Sequence, residues 1–331
     1  MRRPPPLGTF SIVAVDPERR TWGVAVHSRF VSVGSIVPWA EAGSGAIATQ
    51  GQANVRYGPE GLALLRAGSR AEEVVRKLIR ADPDRDERQL GIVDAKGGSA
   101  AHTGAACRSW AGQITGDGFT CQGNLLYAPE VVEAMARSFE GTPGDLPERM
   151  LEALVAGQRE GGDRRGMQSA ALLLVRAGGG YGAGDDRWVD LRVDDHASPI
   201  EELERIFRLY DLTRLAREEP SQLVRLEGEP LVQLRRDLNV LGYLIGPAGP
   251  PWDEKTSGAL SKFLTENNFE SKLRPDATAW PSVLRYLTER ARIELARRLT
   301  TAPIVTGALD RGPGASAPGG SPSKEKPRRP A

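Results

Sequence analysis

Thr9 stands directly after Gly8 and ahead of an alternating, β-branched run, Phe10-Ser11-Ile12-Val13-Ala14-Val15. A threonine freed at its N-terminus holds its hydroxyl beside its own α-amino group. That amine titrates near pH 8, at about 7.7–8.0, so one residue can supply both nucleophile and general base for acyl transfer. The plainer reading is a β-branched residue that merely opens a strand, and residues 1–8 must be removed before the chemistry exists. Acyl transfer also needs donors for a developing oxyanion and a grip on the substrate. Asp163-Arg164-Arg165-Gly166 is a polar loop running into the apolar stretch at Ser169. There Arg165 or Arg164 can grip a carboxylate bidentately, and Asp163 can hold an amine or the arginine itself. A structural ion pair is the alternative. Ser28 and Arg29 end the second β-prone run, where each either tunes the nucleophile, donates to an oxyanion or caps a turn. Gln50 and Asn124 follow strand-like runs, so their amides are candidate oxyanion donors or satisfied turn amides.

Other chemistries find less support. His102 with Cys107, or Cys121 alone, offers a thiol reading, but packing is the commoner role of such cysteines. His27, His102 and His196 lie far apart with no HExxH spacing, so no metal is expected. Gly178-Gly179-Gly180-Tyr181-Gly182 lacks the Gly-Lys-Ser/Thr ending of a phosphate cradle, and no cofactor is expected.

The elements that must position these residues follow from hydrophobic period. Thr9 to Val15 and Thr21 to His27 read as strands joined by the turn Asp16-Pro17-Glu18-Arg19-Arg20, an antiparallel hairpin. Ser32 to Val37 and Gly45 to Thr49 are further β-prone runs. Two helices follow around Pro59 to Ile79, stopped by Asp82-Pro83-Asp84. Leu90 to Val93, Ser99 to Thr103, Ser109 to Thr115 and Phe119 to Gln122 read as strands. Pro129 to Phe139 and Leu146 to Gln158 read as helices, Ser169 to Val175 and Trp188 to Val193 as strands, and Pro199 to Arg217 as a charged amphipathic helix. Strands arriving in blocks argue against a doubly wound parallel sheet and for two packed sheets with helix pairs outside.

The chain has 331 residues, with 44 Lys+Arg against 43 Asp+Glu and a net charge of +1. That balance argues against general nucleic-acid binding. Two cysteines make no disulfide framework. No apolar run reaches the roughly 18 residues of a membrane helix. The Pro-rich start has no apolar signal segment, so a cytoplasmic location is expected. Residues 1–8 and 306–331 are read as a disordered leader and tail.

The motifs Thr9-Phe10-Ser11-Ile12-Val13-Ala14, Gly23 to Phe30, Ala48-Thr49-Gln50, Tyr57-Gly58-Pro59, Ala101-His102-Thr103-Gly104, Gln122-Gly123-Asn124, Gly162 to Ala170 and Val189 to His196 occur in one order. Together they resemble a bacterial family, number 1028 among the domains of unknown function, over about Thr9 to Tyr210. The resemblance implies an N-terminal-nucleophile hydrolase-like α+β fold, a four-layer αββα sandwich. Its members often begin at or just before the threonine matching Thr9, and this chain departs from them by eight extra residues. Autoproteolysis, another protease or a different start site would be needed to expose Thr9. If Thr9 is the nucleophile, it is the expected catalytic residue, with Ser28, Arg29, Gln50, Asn124, Asp163, Arg165 and Gln168 as the expected residues around the substrate or oxyanion.

Beyond a linker at Glu218-Glu219-Pro220, Leu231, Leu234, Leu238 and Leu241, then Thr256, Leu260 and Phe263, repeat at helical spacing. Residues 222–300 thus read as a small all-α module, similar over Gln222 to Tyr286 to a peptidoglycan-binding module. A helical docking or dimerising unit is the alternative. The expected function is an amidohydrolase acting through Thr9 on a small amide or cyclic amide. The rival is a non-catalytic binding protein on the same fold, its helical module recognising a peptidoglycan fragment or a protein partner. No nucleic acid or membrane is expected as a partner, and self-association into a homo-oligomer is a further expectation.

Overall fold

The protein is described by a computed structural model covering residues 8–301 except 216, 248 and 250. The expected leader at 1–7 and tail at 306–331 lie outside the described residues. Gly8, assigned to the leader, is instead buried. The chain divides into two compact units at Arg217 and Glu218.

The first unit opens with β1 (Thr9–Asp16) and β2 (Thr21–Ser28), paired antiparallel with Thr9 opposite Ser28. β3 (Pro38–Glu41) and β4 (Gly45–Gly51) precede helices α1 (Tyr57–Arg66) and α2 (Ala71–Ala81). Four strands follow: β5 (Arg88–Asp94), β6 (Ser99–Thr103), β7 (Gly112–Gly116) and β8 (Phe119–Asn124). Then come α3 (Glu130–Gly141), α4 (Leu146–Arg159), β9 (Ser169–Val175), β10 (Arg187–Val193) and α5 (Pro199–Tyr210).

Two antiparallel sheets result, ordered β10-β9-β2-β1-β8-β7 and β3-β4-β5-β6. Alternation along each strand sorts side chains into three packed layers. On one face of the larger sheet, Phe10, Ile12 and Ala14 pack with Val132, Met135, Met150 and Leu154 of α3 and α4. Val13, Val15, Val24 and Val26 meet Ala46, Ala48 and Val93 between the sheets. Ile47, Leu90 and Ile92 pack against Leu62, Leu65, Val74 and Leu78 of α1 and α2. The order is helices, sheet, sheet, helices. Each fully buried aliphatic side chain contributes roughly 1.5–3 kcal/mol. α1 approaches Trp39 so closely that a Cβ at Gly58 would enter the indole.

Three local readings are corrected. The run from Ser32 to Val37 forms a short 3-10 turn, Val33–Ser35, because Ser32 adopts φ 55° and Val33 and Val37 fill the inter-sheet core from a turn. The expected strand at Ser109 starts only at Gly112, since Trp110 instead exchanges main-chain bonds with Leu126. The helix expected to reach Arg217 ends at Tyr210 and passes into a π-helical turn, Asp211–Leu215.

The second unit holds α6 (Gly228–Val240), α7 (Glu254–Glu266) and α8 (Pro281–Thr301). Leu231, Leu234, Leu238, Leu260, Phe263 and Leu287 are buried in it. Asp253 caps α7 by accepting from the Thr256 N–H at 2.8 Å. A two-residue pair, β11 (Val224–Arg225) with β12 (Thr278–Ala279), was too short to show any alternation in sequence.

Candidate functional site

Thr9 begins β1 between two strand ends, opposite Ser28 on one side and Asn124 on the other. Its Oγ1 donates to Ser28 Oγ at 3.1 Å. Ser28 Oγ in turn donates to the Gly8 carbonyl, which also accepts from Arg165 Nη2 at 2.9 Å. Thr9 and Ser28 are fully buried. A Cβ at position 8 would meet the Arg165 guanidinium, so any larger residue there would have to displace that group.

Arg165 is fixed by Asp163, whose carboxylate accepts from Nε at 3.0 Å and Nη2 at 2.7 Å. The same carboxylate accepts the main-chain N–H groups of Arg165 at 3.0 Å and Arg29 at 3.1 Å. A fork-on-carboxylate pair holds the guanidinium plane as well as its charge. The structural ion pair weighed for this loop is therefore present, and it aims Arg165 at a carbonyl. Gln168 frames the site through its main chain, donating to the Ser28 carbonyl at 3.1 Å. Its side-chain amide goes to Asp195 at 3.1 Å.

Gln50 and Asn124 sit in a buried polar network between the sheets. Gln89 Oε1 accepts from Gln50 Nε2 and Asn124 Nδ2, each at 2.9 Å. Gln50 Nε2 also lies 3.4 Å from the Thr9 carbonyl. Ser11 Oγ donates to Gln50 Oε1 at 2.6 Å and accepts from Gln122 Nε2 at 2.6 Å. Gln89 Nε2 closes the network on Thr103 Oγ1 at 2.9 Å and the Gly123 carbonyl at 2.8 Å. Both candidate oxyanion amides are thus engaged internally. Sequence reasoning missed Gln89, Ser11 and Gln122; the available signal was a polar residue at an inward position of each apolar strand.

A buried ion pair supports the adjoining chain. Asp82 accepts from Arg88 Nε, Asn54 Nδ2 and Tyr57 Oη, each at 2.9 Å. Burial pushes the Asp82 carboxyl up, but the bonds from Arg88 and Asn54 outweigh it and hold it well below the usual range.

His27 lies behind the site, on the helix-facing side of β2, with its ring 4.7 Å from that of Phe10. It is fully buried and neither ring nitrogen has a hydrogen-bond partner. Burial pulls its pKa from 6.5 down to about 4, against the opposing attraction of Asp163. His102 and Cys107 do not pair: His102 Nε2 lies 3.0 Å from the Arg85 carbonyl, and Cys107 Sγ donates to the Arg88 carbonyl at 3.3 Å. Burial raises the Cys107 thiol to about 11 and pushes Cys121 up as well, so neither is a ready thiolate at neutral pH. Among the described residues, no group of three or more His, Cys, Asp or Glu could hold a metal ion. No helix among them is long and apolar enough to cross a membrane.

In the second unit an open groove of about 350 Å³ runs between α6 and α8, bordered by Pro230, Gln233, Asp237, Leu284 and Thr288. Asp237 accepts from Thr288 Oγ1 and Gln233 Nε2, each at 2.7 Å.

No curated protein matches the chain. A crystal structure of a Silicibacter pomeroyi protein, assigned to the DUF1028 family, aligns at 32% identity with a TM-score of 0.57. That alignment covers 63% of this chain and 92% of the other. Residues 214–287 match the model described as a putative peptidoglycan binding domain. Residues 9–203, more than half of the chain, match the model of a family of unknown function, DUF1028. The chain belongs to that family.

Proposed function

We propose that the first unit is an N-terminal-nucleophile amidohydrolase in which Thr9, once freed from Gly8, attacks the carbonyl of a small amide or cyclic amide. The observation that carries this reading is Thr9 Oγ1 bonded to Ser28 beside a Gly8 carbonyl gripped by Ser28 and Arg165. In the uncut chain that carbonyl stands in for the substrate's. Release would begin with Thr9 Oγ1 bonding the Gly8 carbonyl carbon while its proton passes to the departing Thr9 nitrogen. Water then hydrolyses the resulting ester, leaving a Gly8 carboxylate and a free Thr9 amine. That amine, with a pKa of about 8, serves as general base for substrate. Ser28 and Arg165 then stabilise the oxyanion, worth about 3–4 kcal/mol per well-placed donor. The helix–sheet–sheet–helix order supports an N-terminal-nucleophile layout.

A second reading, a binding protein whose nucleophile stays masked, draws on the full burial of Thr9 and the internal engagement of the Gln50 and Asn124 amides. In that case the second unit supplies recognition, and its match to a peptidoglycan-binding model supports a glycan-peptide fragment as ligand. Intact mass, N-terminal sequencing and a hydroxyl-reactive acylating probe separate the two. The expected result is a chain beginning at Thr9 and labelled there, with Thr9→Ala uncut and unlabelled. A chain that keeps Met1 or Arg2 in all active material removes the nucleophile and leaves the binding reading.

A further inference from the structure

Three arginines near the Thr9 end of the larger sheet, Arg29, Arg108 and Arg164, have no carboxylate partner for their side chains among the described residues. Ser28 and Asn124 flank Thr9, and Arg29 and Leu125 are the residues that follow them. Leu125 is held in the left-handed region at φ 55°, a conformation a leucine adopts only under constraint. The constraint is a pair of main-chain bonds: Leu125 donates to the Arg108 carbonyl at 2.9 Å and accepts from the Arg164 N–H at 3.0 Å. Arg108 and Arg164 are thereby tied through their main chains to Leu125, just after Asn124, while Arg29 directly follows Ser28, and all three arginines are exposed. Arg29 Nη1 donates to the Met167 carbonyl at 3.1 Å, which steadies its guanidinium without neutralising it. The buried carboxylate of Asp163 is taken up by the Arg165 side chain and two main-chain N–H groups.

We propose that Arg29 and Arg164, with Arg108 beside them, form an anion-selecting rim, so that the amide cleaved at Thr9 carries a carboxylate next to its scissile bond. Arg165 does not take that role, because it is committed to Asp163 and the reacting carbonyl. Like charges gathered at one sheet end are unfavourable until an anion enters, and a guanidinium edge matches the two oxygens of a carboxylate. This inference rests on the Thr9 reading and adds the substrate class to it.

The test uses the processed full-length protein and two β-lactone probes, one with a free carboxylate and one with that group as its methyl ester. The ester rate reports the reactivity of Thr9 itself, and the ratio of the two rates reports the rim. The wild type is expected to react about tenfold faster with the carboxylate probe, as loss of a charged hydrogen bond implies. Arg164→Gln and Arg29→Gln should each lower that ratio severalfold, the pair together should bring it near one, and raised salt should lower it in the wild type. Arg164→Lys, which keeps the charge and loses the fork, should fall between. Equal rates with both probes in the wild type, or an unchanged ratio in the variants, overturns the rim while leaving Thr9 reactive. Failure of both probes to label Thr9 overturns the nucleophile and the rim with it.

Discussion

The layer between the two sheets has two ends of opposite character. Toward Val15 it is built from Val13, Val24, Val26, Ala46, Ala48 and Val93, all without polar atoms in their side chains. Toward Thr9 the same strands, joined by β8, supply Ser11, Ser28, Gln50, Gln89, Gln122 and Asn124, and these are just as deeply buried. The apolar end holds the sheets together by area removed from water and tolerates small changes of shape. The polar end gains little net energy from each bond, yet every donor left unmatched costs the full desolvation penalty. It therefore fixes geometry more than it adds stability, and it is the end where Thr9 sits.

That contrast can be broken by experiment, beginning with its largest expected effect. Gln89→Ala removes the acceptor shared by the Gln50 and Asn124 amides and the donor to the Gly123 carbonyl. Several buried groups lose their partner at once, so a loss of about 4 kcal/mol in unfolding free energy is expected from urea denaturation. Next is His27. Its folded pKa of about 4 lies below the ordinary 6.5, so the folded state disfavours the proton. The stability it contributes is full above about pH 6.5 and is lost as the pH falls toward 4, by about 3 kcal/mol in all. His27→Gln should flatten the fall of melting temperature over that window; an unchanged slope would assign the acid lability to other groups. Smallest is Val24→Ala at the apolar end, with about 2 kcal/mol expected from lost burial and the cavity left behind. If Val24→Ala proves costlier than Gln89→Ala, the polar end is less tightly satisfied than its bond lengths imply.

Legibility in sequence divides along the same line. β1, β2, β9 and the helices α2, α3 and α4 were readable because a single face repeats with period two or 3.6. The blockwise order of strands and helices pointed to packed sheets for the same reason. The polar network was not readable, since Ser11, Gln50, Gln89 and Gln122 come from four strands in two sheets and no local period connects them. The turn at Ser32 escaped because an αL serine leaves no signature among β-branched neighbours. Gly8 was assigned to a featureless leader because the group packed against it, the Arg165 guanidinium, comes from far along the chain.

The sequence by itself determined most of the elements, the alternation of apolar faces along them, the position of Thr9 at the head of β1, and the likeness to its family. These depend on neighbours a few residues away and on side-chain period. Only the tertiary structure decided that Ser28 bridges Thr9 to Gly8, that Arg165 reaches the Gly8 carbonyl, that the Gln50 and Asn124 amides are engaged, and that the Arg164 main chain meets Leu125 just past Asn124. Each of those is a meeting of residues far apart in the chain, brought together by strand pairing, sheet packing or a loop folding back, and none of these has a local code.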